Sequence, residues 1–91
     1  MEKLATTLNA YTKNNGSWSI DANEHKSYYQ TPLEFFHEND FDKKDYKDLD
    51  LNDNIYHLRW FKDSPVGHYD FFANSISDLY YKVKLFVIYD K

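Results

Sequence analysis

Eighteen of the 91 side chains are aromatic (nine Tyr, seven Phe, Trp18 and Trp60), and those rings are what so short a chain must build an interior from. Surface-to-volume scaling permits one hydrophobic core at this length, so residues 1–91 read as a single domain without a linker. A ring buries a large apolar area for each residue of chain that is ordered, which suits a small fold. Half of the rings belong to tyrosine, whose hydroxyl can stay at the water boundary. Aliphatic residues are sparse, so the expectation is a shallow, Tyr-lined core or a self-association surface.

Cysteine is absent, which excludes a disulfide framework and a thiolate metal site. The opening Met1-Glu2-Lys3-Leu4 offers no apolar signal region, and no stretch approaches the roughly 20 apolar residues of a membrane span. These features predict a protein of the cytoplasm, away from membranes. The net charge of −4 argues against direct nucleic-acid binding. Its distribution is uneven: Glu34, Glu38, Asp40, Asp42, Asp45, Asp48, Asp50 and Asp53 stand against only Lys43, Lys44 and Lys47, a local balance of −5.

Local signals predict an α+β fold with a β-hairpin in an antiparallel sheet and two or three helices. Leu4, Leu8 and Tyr11 recur at helical spacing, with Gly16 as a C-terminal stop. Ser17 to Asp21 alternates as a short edge strand. Thr31-Pro32-Leu33-Glu34 has Thr at the N-cap, Pro at the first helical position and Glu three residues after the cap, a capping box opening a helix at Pro32. From Asn39 to Asn54 the Asp and Asn density favours side-chain-to-backbone bonds, so an ordered acidic loop with at most a helical turn is expected.

Residues 55–63 and 68–74 flank Ser64-Pro65-Val66-Gly67, which fits a type I turn closing a hairpin. That register sets Trp60 opposite Phe71 and Leu58 opposite Ala73, with His57, Arg59 and Asp70 on the other face. The C-terminal stretch reads both ways: Ile76, Leu79, Tyr80, Val83 and Val87 make a helical stripe after Ser75, while Tyr81 to Tyr89 alternates as a strand. The helix start at Ser75 favours helix. The apolar Leu85 to Tyr89 exceeds what one small core needs, which predicts a homodimer contact there.

No pattern of catalysis emerges. Asp48, Asp50 and Asn52 imitate the first ligands of a calcium loop, but Asp53 stands where the glycine belongs and Arg59 where the bidentate Glu belongs. His25, His37, His57 and His68 show no close ligand spacing, and there is no nucleophile elbow or glycine-rich phosphate loop. The clustered carboxylates have no neighbours to perturb them. The sequence therefore predicts a non-enzyme without metal or cofactor.

The acidic run supports two readings. Charge runs are most often solvated surface. Alternatively, the row imitates a nucleic-acid backbone: duplex charges recur about every 3.4 Å per strand, and carboxylates fall about 5.4 Å apart per helical turn or about 6.6 Å apart in extended chain. In that case Phe41, Tyr46, Leu49 and Leu51 would hold the row rigid.

In length, acidity, lack of cysteine and its Lys/Asn/Asp/Tyr-rich vocabulary, with the 34–53 run, the chain resembles the Arn family of T-even phage anti-restriction proteins. The resemblance implies a dimeric DNA mimic, in the host cytoplasm, that blocks a basic DNA-binding protein or restriction endonuclease, namely McrBC. The three lysines within the run depart from an ideal mimic. An immunity or antitoxin protein capping the basic active site of a nuclease is the alternative.

Overall fold

Leu4, Leu8 and Thr12 define the buried face of the first helix, α1 (Glu2–Thr12), in a computed structural model that describes residues 2–13 and 15–89. Met1, Asn14, Asp90 and Lys91, which the one-domain reading includes, lie outside the described residues. The Thr12 hydroxyl donates to the Leu8 carbonyl at 2.9 Å, which lets a polar residue close the stripe. Tyr11 is 41% exposed and leans on Trp60, ring centroids 5.9 Å apart. Gly16 does more than stop the helix. Its φ is +122°, and a Cβ there would lie 1.8 Å from the Phe61 carbonyl oxygen.

Three antiparallel strands follow in the spatial order β1 (Ser17–Ala22), β2 (Tyr56–Asp63), β3 (Val66–Ala73). As expected, β1 is an edge. The hairpin register differs from expectation: Trp60 opposes Tyr69 and Leu58 opposes Phe71. The loop is only Ser64-Pro65, closed by the Asp63 and Val66 pair, so Val66 and Gly67 belong to β3 and are not turn residues. An even shift keeps every side chain on its face. Asn15 fastens this turn, its Oδ1 accepting from the Asp63 and Ser64 amides at 3.0 and 2.7 Å while its Nδ2 donates to the Ser64 carbonyl at 2.7 Å.

The remaining helices are α2 (His25–Tyr28), α3 (Pro32–Glu38), α4 (Lys43–Tyr46) and α5 (Ile76–Tyr89). At α3 the Thr31 hydroxyl accepts from the Glu34 amide at 3.1 Å, as expected. The returning half of the box is displaced by one residue, because the Glu34 carboxylate takes the Gln30 amide instead, at 3.4 Å. Ser75 caps α5 by accepting from the Asp78 amide at 3.1 Å. The C-terminal ambiguity resolves as helix: Leu79 and Val83 meet Leu4, Leu8 and Leu58, while Tyr81 and Leu85, which a strand would put on the same face, are exposed.

The sheet separates two apolar layers of different chemistry. On one face α1 and α5 bring leucines and valine onto Leu58 and Ala73. On the other, Phe35, Phe36, Ile55 and Phe72 form a phenylalanine-rich cluster under α3 and α4. Tyr29, Tyr46, Tyr56 and Tyr80 are only partly buried around these layers, so the expected Tyr-lined core is in fact a Leu and Phe core with a tyrosine margin. No helix among the described residues is long and apolar enough to cross a membrane.

Candidate functional site

All but one of the acidic residues of the 34–53 run take their positions from local backbone devices; Asp48 instead meets Lys82. Glu34 is in the first turn of α3, and Glu38 is its last residue. Asp40 adopts a left-handed φ of 58°, a conformation Asp and Asn tolerate better than most side chains. Asp42 precedes α4, and its amide donates to the Asp45 carboxylate at 3.1 Å. Asp50 accepts from the Asn52 amide at 2.9 Å and Asp53 from the Asn54 amide at 2.7 Å. All are exposed except Asp45, which is half-buried.

The apolar residues between them point the other way. Phe41, Tyr46, Leu49 and Leu51 all pack on the phenylalanine cluster. Tyr46 stacks on Phe36, centroids 4.5 Å apart and planes 13° from parallel, and Phe41 meets Phe72 edge-on at 4.9 Å. Asn74 secures the far end: its Oδ1 accepts from the Asp50 amide, and its Nδ2 donates to the Asp50 and Asn54 carbonyls, each at 2.8 Å.

The row of charge is not continuous. Lys82, from α5, pairs with Asp48 at 3.0 Å and also donates to the Phe72 carbonyl. The Lys44 ammonium is 4.0 Å from Asp42 with both side chains about three-quarters exposed, a pairing that water and salt largely screen. Beside α4 and α5 lies a cleft of about 380 Å³ lined by Lys44, Lys47, Asp70, Phe72, Lys82 and Leu85. Within the C-terminal apolar stretch, Phe86 and Val87 are half-buried, while Leu85 and Ile88 join Tyr81 as exposed side chains.

A second constellation escaped the sequence reading, which treated the histidines as scattered. His57 is 1% exposed, yet both ring nitrogens meet carboxylates: Nδ1 contacts Glu24, and Nε2 lies 2.6 Å from Asp70. Asp70 also reaches His68 at 3.4 Å. Strand alternation does place His57 and Asp70 on one face, which was the available signal. Glu24 joins from the far end of β1 and left none. The imidazole is sealed from solvent, and this centre ties three chain segments together.

Comparisons with protein families, with characterised proteins and with solved structures found no match for this chain.

Proposed function

We propose that this chain is an inhibitory binding protein that presents the 34–53 carboxylates to the basic, nucleic-acid-binding surface of a protein partner, as a DNA-mimicking anti-restriction protein does. One observation carries the reading: every apolar residue interleaved with these acids is anchored in a single aromatic cluster, leaving the carboxylates outward on an ordered support. An acidic loop without anchors would lose binding energy to ordering, whereas this one has paid that entropy on folding. Exposed acids facing a Lys/Arg cleft should chiefly speed association and fix orientation.

The test replaces exposed acids by amides, whose side-chain oxygens can still accept backbone hydrogen bonds such as that of Asp53. Asp45 and Asp48 hold α4 and Lys82, so the informative variant converts Glu38, Asp40, Asp42 and Asp53 to their amides, which keeps shape and removes four charges. McrBC, the partner the family resemblance implies, is the first to assay. The parent should inhibit its DNA cleavage, less so at high ionic strength, and the amide variant should inhibit weakly while keeping its fold. Equal inhibition by parent and variant would remove the acidic surface from the mechanism. Tight binding to one nuclease with no competition by DNA would move the protein to the immunity class.

A further inference from the structure

The chain holds a single Asn-Gly pair, Asn15-Gly16, between α1 and β1. With no side chain on the second residue to hinder its backbone nitrogen, such a pair is the one most prone to attack its own carboxamide. The Gly16 nitrogen, on losing its proton, adds to the Asn15 Cγ, and the side-chain nitrogen leaves as ammonia, closing a succinimide. Water then opens the ring at either carbonyl to give aspartate or isoaspartate. The sum is carboxamide plus water to carboxylic acid plus ammonia, and it needs no oxidant or reductant.

Folding holds this reaction back. Three hydrogen bonds turn the carboxamide onto the hairpin loop, Oδ1 accepting from the Asp63 and Ser64 amides at 3.0 and 2.7 Å and Nδ2 donating to the Ser64 carbonyl at 2.7 Å. The Asn15 amide is engaged as well, donating to the Thr12 carbonyl at 3.1 Å. A carboxamide tied to residues 48 and 49 positions away cannot swing onto the nitrogen that follows it until the loop lets go.

The same contacts decide what either product does. A carboxylate still accepts from the two amides, but it has no proton for the Ser64 carbonyl, so two acceptor oxygens face each other where a 2.7 Å bond stood. Isoaspartate lengthens the main chain immediately before Gly16, where β2 leaves no room: a Cβ on Gly16 would lie 1.8 Å from the Phe61 carbonyl oxygen. We propose that Asn15 is a modification site at which the chain deamidates itself, that the hairpin-loop clamp gates the reaction, and that conversion releases the loop. The inference stands apart from the acidic-surface reading, because none of the 34–53 carboxylates takes part.

The test incubates the full chain at neutral pH, in buffer and in denaturing urea at one temperature. Conversion at residue 15 is followed by peptide mass spectrometry and by methyltransferase labelling of isoaspartate. It is expected in urea, and in buffer it should be slower by roughly tenfold or more, the same factor by which folding slows hydrogen exchange of the Ser64 amide, since both need one opening. No conversion in urea would remove the site. Equal rates in buffer and urea would overturn the gate, and so would a slowing far beyond that of the Ser64 amide. Asn15→Asp shows the effect of conversion directly: it should lower the denaturation midpoint and speed exchange at Asp63 and Ser64 several-fold, while α5 keeps its protection. Parent-like exchange at Asp63 and Ser64 in that variant would show that conversion releases nothing.

Discussion

The imidazole of His57 lies nearly flat on the ring of Phe72, centroids 4.2 Å apart and planes 21° from parallel. The two are cross-strand partners, so the sheet itself sets the stack. Phe41 closes over the imidazole edge-on at 5.8 Å. A doubly hydrogen-bonded ring between carboxylates is thus enclosed by aromatic surface, where any unpaired charge is costly.

Breaking that arrangement from one side should be expensive. Asp70→Ala leaves the buried Nε2 of His57 without its hydrogen-bond partner and is expected to cost about 3 kcal/mol, measured by chemical denaturation. A denaturation midpoint equal to the parent's would show that the pair does not support the fold.

Gly16 and Gly67 should respond oppositely to alanine. At Gly16 the new Cβ would overlap the Phe61 carbonyl at 1.8 Å, and φ of +122° is strained for any L side chain, so β1 must move off β2. A loss of about 3 kcal/mol is expected. At Gly67 nothing lies within 4 Å of the added Cβ, and the change should be within about 0.5 kcal/mol. Similar denaturation midpoints for the two variants would contradict the close approach.

What could be read from the sequence was whatever the chain encodes within a few residues. Thr31 and Pro32 announced α3, Ser75 announced α5, and the alternation of β2 and β3 placed His57, Arg59 and Asp70 together. Register was harder to read, because Pro65 and Gly67 both look like turn residues and only the long-range Asn15 clamp selects the two-residue loop. The anchoring of the acidic loop was anticipated from Phe41, Tyr46, Leu49 and Leu51. The pairing of Asp48 with Lys82 was not, since that lysine is 34 positions away. Glu24 and His57, 33 positions apart, were hidden for the same reason.

His25 supplies a pH dependence of known sign. Burial pushes its imidazole below the ordinary 6.5, Lys26 adds to the effect and Glu24 opposes it. The unfolded chain therefore takes up a proton before the native state does. Stability attributable to His25 is intact above pH 6.5 and is lost as pH falls through that value toward the lower native one. His25→Gln should lose less stability than the parent between about pH 7.5 and 5.5. Equal losses would mean that His25 does not contribute.

Tyr46 separates rigidity from charge in the acidic loop. Its ring stacks on Phe36 at 4.5 Å, and its hydroxyl makes only a long 3.4 Å contact with His37, so the support is the ring and not the polar tip. Tyr46→Phe should leave the loop as it is. Tyr46→Ala should cost about 2 kcal/mol and speed hydrogen exchange at the 47–53 amides, while α1 and α5 keep their protection. Neither change alters a carboxylate. If the loop acts as a preordered charged surface, Tyr46→Ala should weaken partner binding without changing its salt dependence, whereas removing carboxylates should flatten that dependence. Unchanged exchange at 47–53 in Tyr46→Ala would show that Asn74 and the leucines hold the loop without the stack.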